Sequence, residues 1–446
     1  MRAATRRSMP PSAGWSMRSR ACSSIANAPG CCRWVSRTGR MRCHRLPANW
    51  ACRLSGAKGE VEGMALTLAD RIDAAFAAEQ AAQPVARTRH EIPRSYEAIT
   101  DEWLTTVLCR DTPGAAVVGH RLGLPDDGTN NRRRIFLNYN DPGQAAGLPV
   151  SVFCKATFGL ANRQMLGHSG GVLCEVTFHN HARHLLDIEA PRALLANFDP
   201  VGFASIVVFE DFGEHATFCS EETPVDLDFA RAQLDVLARL HGRFADAPEM
   251  AGPLAVLPTW YERFHNLATF HLEESCAAGV EVSEELLPPD LFARRAEIWP
   301  ATLRSLELLR ALPLTLCHGD VHLKNWYQCD DGRIGLGDWG VAHRGHWSRD
   351  LAYTLTTALT ITDRQAHEGD LIAYYLDRLA AEGGPHVSMD AAMRAYRLSL
   401  PSAFAFWTLT LKPDPAFPDM QPVATARVFI ERIGQAMADH NALAID

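Results

Sequence analysis

Lysine is nearly missing from this chain. Only Lys58, Lys155, Lys324 and Lys412 occur in 446 residues, and arginine carries the rest of the fixed positive charge. Each lysine is therefore a separate question, because a compact ammonium does work that a guanidinium does not. A surplus of positive charge is also missing. The net charge is −8, which excludes a general binder of nucleic-acid backbones. No apolar run reaches the roughly 18 residues of a membrane span. The 12 cysteines contain no C-x-x-C pair and no dense even spacing, so reduced thiols in a cytoplasmic protein are expected. The turn at 127–131 is not a G-x-G-x-x-G loop, no G-x-x-x-x-G-K-[ST] is present, and no internal repeat is evident. What remains is 47% hydrophobic and 22% charged, an ordinary globular composition on a chain long enough for two or more domains or lobes.

The first 63 residues differ from the rest. Eleven arginines and Lys58 face only Glu60 and Glu62, and five of the cysteines lie here. No period of 2 or 3.6 can be followed. A transit peptide or a nucleic-acid arm would share the charge, but the cysteines and scattered tryptophans fit neither. Residues 1–63 read as an extension ahead of a translation start at Met64, and they are set apart from the fold. From Met64, Leu68, Ile72, Ala75 and Phe76 share one helical face. A polar linker with Pro84 and Pro93 completes a segment over 64–95. A capped helix start is expected at Thr100–Leu104, with Asp101 and Glu102 in the positive first turn and the helix running through Val107 and Leu108.

Residues 96–212 read as a small β-rich lobe. Strands are expected at 116–124, 134–139 and 150–155, separated by turns at Pro125–Gly128 and Asn140–Gly143. The turn with Gly128, Thr129 and Asn130 has two readings, a plain hairpin loop or a nest of amides over nucleotide phosphates. Lys155 ends the third strand. A glycine-flanked connection (Gly167, Gly170, Gly171) then leads to a helix with Glu175 in its first turn. A strand lysine anchored by a helix carboxylate is one way to hold nucleotide phosphates. The apolar strand Ser205–Phe212 is placed to offer backbone to a nucleobase around Glu210 and Phe212.

Residues 213–446 read as a larger, mainly helical lobe. Helices are expected at 228–244, 260–272, 291–312, 350–360, 370–382 and 422–443. His241 near a helix end fits a core histidine. The acidic run Glu273, Glu274, Glu281, Glu284, Glu285 and Asp290 reads as a solvated loop, or as an attraction for a cationic acceptor. The apolar stretch Ala403–Trp407 reads as core, or as the wall of an acceptor pocket.

The densest chemistry lies in Leu316–Trp339, L-C-H-G-D-V-H-L-K-N-W-Y-Q-C-D-D-G-R-I-G-L-G-D-W. Asp330-Asp331-Gly332 is a hairpin signal, and the hairpin would return Asp338 beside Asn325. Asp320 is then placed to take a proton from an acceptor hydroxyl, and Asn325 and Asp338 offer the hard oxygens that Mg²⁺ wants. Two rival readings remain. His318, Asp320, His322, His343 and His346 could ligate a transition metal in a hydrolase. A catalytically inactive nucleotide-binding protein is the other.

H-G-D-V-H-L-K-N followed by G-D-W resembles the aminoglycoside phosphotransferase and choline kinase-like superfamily of small-molecule kinases. A-R-L-H-G around His241, F-E-D-F at 209–212 and R-D-L-A-Y at 349–353 are also similar to family segments. The R-G-x-W-x-R-D-L-A-Y tail (344–353) resembles the ecdysteroid-kinase-like branch. The resemblance runs from about Ser95 to the C-terminus. It implies an α+β, two-lobed protein-kinase-like fold, with ATP (or GTP) and Mg²⁺ as cofactors and a small-molecule alcohol as acceptor; from the charge and the apolar runs, no nucleic-acid or membrane partner is expected. It implies Asp320 as catalytic base, Asn325 and Asp338 as metal ligands, Lys155 with Glu175 as phosphate anchor, and Asp350 as a brace. Two departures stand out: the phosphate loop is rich in Asn rather than Gly, and Gly335 and Gly337 flank Leu336 where aliphatic residues are usual.

Overall fold

The computed structural model describes residues 67–267, 271–414 and 420–445. The expectations for segment 1–63 and for a start at Met64 lie outside the described residues. Thr67 opens the first helix, Leu68–Ala82, by a reciprocal capping box with Asp70. Only Ile72 of the expected apolar face is buried in it. Thr100 caps the next helix, Asp101–Leu108, whose Trp103, Leu104 and Val107 are buried.

The β-rich part is an antiparallel sheet in the order β1 (Val117–Leu122), β3 (Asn131–Tyr139), β4 (Ser151–Ala156), β6 (Ser205–Glu210), β5 (Ala193–Phe198), with the two-residue β2 (Asp126–Asp127) paired to β3. Period-2 alternation on β4 does two jobs. Val152, Cys154 and Ala156 pack in one core with Trp103 and Ile135, while Phe153 and Lys155 take the opposite face. There the helix Gly171–His181 covers the sheet, with Val176 against Val207, Phe209 and Phe153. Lys155 is paired with Arg132 on β3 and Val207 on β6, so it sits mid-sheet, where backbone bonds on both sides fix its origin.

Several elements differ from expectation. The connection after Lys155 is itself a helix, Leu160–Ser169, and Gly170 at φ +71° turns the chain into the next one. Its Gly167 is there for packing. A Cβ at that position would lie 3.0 Å from both Ile72 and Phe203, so a glycine that looked like a linker is a close helix contact. Because the following helix starts at Gly171, Glu175 lies one turn further in than the first turn. Asn140 caps a short helix, Asp141–Ala145, rather than a bare turn. Strand β5 was not foreseen, nor were β7 (Ala216–Phe218) and β11 (His343–Gly345).

Past Gly213 the chain is helical apart from two small sheets. One has the order β10 (Ile334–Leu336), β9 (Trp326–Cys329), β7; the other pairs β11 with β8 (Thr315–Cys317). The helices Leu227–Phe244, Ser348–Ala358, Ile361–Ala381, Met389–Leu411 and Val423–Asp439 enclose the largest core. Ala403–Trp407 lies within the Met389–Leu411 helix and is largely buried. The helices expected at 260–272 and 291–312 are shorter, Trp260–Leu267 and Ile298–Leu309. The acidic run is not a loop. It occupies the helix Leu272–Glu281, a 3-10 turn at Glu284–Leu286 and, with Asp290, the short helix Pro289–Ala293, its carboxylates in solvent.

Candidate active site

Lys155 Nζ donates to Glu175 Oε1 at 2.9 Å and to Asp338 Oδ1 at 2.8 Å. Lys155 and Glu175 are both buried. Burial alone would neutralise the ammonium, but the Asp338 and Glu175 carboxylates outweigh it and hold the Lys155 pKa above its ordinary range. Glu175 moves up because burial outweighs the lysine. Asp338 moves down despite burial, because the lysine outweighs it. The side chain of Asp338 remains 47% exposed, so water shares in its charge.

The loop between β8 and β9 carries Asp320 and Asn325. Asp350 anchors its first turn, with Oδ2 accepting from His318 N at 2.7 Å and Oδ1 from Gly319 N at 2.9 Å. Gly319 has φ +85°, and a Cβ there would lie 2.6 Å from both Val341 O and His343 Nδ1. Only glycine satisfies both the left-handed backbone and the close approach. His318 then joins two loops. Its Nδ1 accepts from Asp320 N at 3.1 Å and its Nε2 donates to Gly337 O at 2.8 Å, while burial keeps the ring neutral by lowering its pKa. A second tie, Gly337 N to Asn325 O at 2.8 Å, brings the Asp338 turn against Asn325. Asp338 itself holds φ 55°, a left-handed backbone uncommon outside glycine, of the kind that marks functional turns.

Asp320 receives Tyr353 Oη at 3.2 Å and Asn325 Nδ2 at 3.3 Å, and its Oδ2 lies 3.5 Å from His322 Nε2. Burial opposes its charge, yet His322 and Arg349 outweigh burial and lower its pKa. The carboxylate is therefore ionised throughout the neutral range. Asn325 Nδ2 also donates to Asp320 O at 2.7 Å, which turns the amide so that its carbonyl oxygen points elsewhere.

Two cavities meet at Lys155, Glu175 and Asp338. One, of about 430 Å³, lies under the sheet and is lined by Glu210, Phe212 and Asn325 among others. The second, of about 240 Å³, holds Asp320 and is lined also by Thr129 and Asn130. Gly128 lines neither. Its N–H donates within the turn to Asn130 O at 2.9 Å, and its carbonyl accepts from Asn162. The histidines of the hydrolase reading do not converge. His343 Nδ1 bonds Val341 O and His346 Nδ1 bonds Ser348, and His318 is engaged as above. Among the described residues, His241, Cys317 and Asp350 form the one buried cluster at metal-ligand spacing, and its groups are taken up in bracing: His241 bonds Tyr375 and Asp350. Tyr353, Arg263 and Arg349 also reach the Asp320 cavity. No local motif announces them; only the R-D-L-A-Y segment hinted at two.

A central-strand lysine paired with a helix carboxylate, facing an H-G-D-x-x-x-x-N loop and a returning aspartate on the helical side, is the arrangement of two-lobed, protein-kinase-like phosphotransferases. Residues 181–395 match the model of the phosphotransferase enzyme family, APH. That match bears out the resemblance carried by the catalytic-loop motif. Similar solved structures include spectinomycin phosphotransferase in complex with ADP and spectinomycin, 13% identical, covering 75% of this chain and 96% of that one, with a TM-score of 0.44. The choline kinase of Streptococcus pneumoniae is 15% identical over 72% of this chain and 94% of that one (TM-score 0.41). The ethanolamine kinase of Plasmodium vivax is 11% identical over 73% and 83% (TM-score 0.42). No curated protein sequence matches the chain. Among the described residues no helix is long and apolar enough to cross a membrane.

Proposed function

We propose that this chain transfers the terminal phosphoryl group of ATP, in the presence of Mg²⁺, to a hydroxyl of a small molecule. The observation that carries the reading is Lys155, bonded at once to Glu175 and Asp338 where the two cavities join. The larger cavity would hold the nucleotide, with its base near Glu210 and Phe212. The ammonium would then meet phosphate oxygens without wandering, because Glu175 fixes it. Asp320 would orient the acceptor hydroxyl and take its proton, held in place by Tyr353 and Asn325. The donor set facing the junction is hard oxygen: the Asn325 carbonyl, left over once its amide nitrogen is bonded to Asp320, and the half-exposed Asp338 carboxylate. That set fits Mg²⁺, which Asn325 and Asp338 would hold. Bound there, the ion supplies charge neutralisation on the phosphates.

The test offers the purified protein ATP or GTP with Mg²⁺ and a panel of hydroxyl compounds, and looks for a phosphate monoester. Asp320→Asn should lower kcat by about 10²–10⁴ with the melting temperature nearly unchanged. Nucleotide binding without transfer to any acceptor, or full turnover in Asp320→Asn, would refute the proposal.

A further inference from the structure

On its side remote from the junction, the cavity beside Asp320 is lined by Leu272, Val341, Phe406, Trp407, Leu409 and Met420. Its charged groups divide into two sets. Lys155, Glu175 and Asp338 answer one another, and Asp320 is matched by Tyr353, Asn325 and His322. Two arginines keep buried donors without an acceptor among the described residues, although the charge of Arg349 also acts on Asp320. Arg349 is 2% exposed and lies between the rings of Trp260 and Tyr353, its guanidinium carbon 4.5 and 4.4 Å from their centroids. Its Nε and Nη1 have no hydrogen-bond partner among the described residues. Arg263 is 4% exposed and, among the described residues, is held by long contacts, 3.5 Å to Cys174 Sγ and 3.4 Å to Gly340 O, with its Nε unpartnered.

Buried donors without acceptors are costly, and charged ones most of all. A ligand that brings oxygen acceptors relieves that cost. A ligand that brings an ammonium meets no unclaimed carboxylate and two guanidinium groups. The acidic run that suggested a cationic acceptor is not on this wall: Glu281 pairs with Arg295 and Glu285 with Arg427, both away from the cavity.

We propose that the Asp320 cavity selects a largely apolar hydroxyl compound carrying a carboxylate, received by Arg349 and Arg263, and rejects amino alcohols and aminoglycosides. This rests on the phosphotransferase reading and names the acceptor class within it. The acceptor hydroxyl attacks the terminal phosphorus, its proton passes to Asp320, and the nucleoside diphosphate leaves.

The experiment uses the full chain with ATP and Mg²⁺ and three probes on one skeleton: benzyl alcohol, para-hydroxymethyl benzoate and para-aminomethyl benzyl alcohol. Choline and an aminoglycoside run alongside. The expected kcat/KM for the carboxylate exceeds that for the amine by roughly tenfold or more, with the neutral alcohol between. Arg263→Leu and Arg349→Leu should each lower the carboxylate-to-neutral ratio several-fold, through KM more than kcat. Arg263→Leu keeps the test open if the more deeply stacked Arg349 is needed for folding. An amine, choline or an aminoglycoside as the best acceptor overturns the inference and leaves the phosphotransferase reading standing. An unchanged ratio in the folded variants overturns it as well. Transfer to no hydroxyl compound sinks both together and is thereby told apart.

Discussion

Replacing Lys155 by methionine keeps the length of the side chain and removes its charge, which makes the energetic role of the Lys155–Glu175 pair measurable. Breaking a buried ion pair from one side costs about 3–5 kcal/mol if the orphaned partner must stay charged. Glu175 has an escape, because it can take up a proton. Its ordinary value is 4.5, so protonation at about pH 7 costs about 3.4 kcal/mol at 1.36 kcal/mol per pH unit. That figure is a ceiling on the ionic loss at Glu175. Asp338 adds little, since its side chain is half in solvent. The sign with pH follows. In Lys155→Met the folded-state pKa of Glu175 is raised above its unfolded value, so the folded state binds the extra proton and is favoured as pH falls. Glu175 is already raised, though less, in the natural protein, so the deficit should be largest near neutrality and shrink by at most about 2 kcal/mol between about pH 7 and 5.5. Urea unfolding at several pH values reads this directly. Lys155→Met/Glu175→Gln should recover most of the lost stability at neutral pH, while phosphoryl transfer stays down by at least about a hundredfold. A deficit independent of pH, or a double variant no more stable than the single one, would show that Glu175 is not ionised against Lys155 in the folded protein.

Three further outcomes follow from the same geometry. Gly319→Ala forces a Cβ to within 2.6 Å of Val341 O and His343 Nδ1 at a left-handed backbone; transfer should fall by about a hundredfold or more, with about 2–4 kcal/mol of stability lost, and a fully active, equally stable variant would show that the turn can shift freely. Asp350→Ala orphans His318 N and Gly319 N and should cost about 3–5 kcal/mol in denaturant unfolding, with kcat reduced more than nucleotide affinity. Burial pushes His179 and His343 down to about 3 and His346 to about 4, so the unfolded chain binds protons that the folded one refuses; stability should decline as pH drops below about 6.5, by about 1.4 kcal/mol per unit for each histidine well below that point, and a flat unfolding free energy from pH 6.5 to 4.5 would contradict their burial as neutral rings.

The parts of the site that could be read from sequence are those whose chemistry is written locally. Asp320 and Asn325 sit on one short loop, and a D-D-G turn returns Asp338 to it, so spacing alone predicts their meeting. Lys155 could be read because lysine is rare here and because a strand lysine needs an anchor nearby. Arg263 and Arg349 could not be read. They reach the Asp320 cavity from a helix at 260–267 and from the start of one at 348–358; no local pattern separates Arg263 from the many arginines on the surface, and R-D-L-A-Y marks Arg349 as a family residue without saying what it faces. The same limit explains the misread elements. Gly167 looks like a linker glycine unless Ile72 and Phe203 are known to press on it. Strand β7 has three residues, too few for alternation to register, and is held only by pairing with β9 more than a hundred residues later.

The two departures from the family pattern have different standing once the geometry is known. Gly335 is imposed by packing: a Cβ there would fall 2.2 Å from the ring of Tyr327, which stacks on Phe212 at 5.0 Å and bonds Glu189. An aliphatic residue before Asp338 would displace that ring, and with it the floor beneath Phe212. The glycine thus serves the packing behind Phe212, which lines the larger cavity, rather than the chemistry of Asp338. The asparagine-rich turn is a different matter, because its polar groups are engaged internally. Asn131 Oδ1 accepts from Phe158 N, and Asn162 holds the carbonyls of Gly128 and Thr129. A turn fastened in this way fixes Thr129 and Asn130 on the wall of the Asp320 cavity without the loose amides of a glycine-rich loop. The family match, which starts at residue 181, reaches neither this turn nor Lys155 nor Glu175. In that half of the site the physical reading of individual residues has to carry the inference by itself.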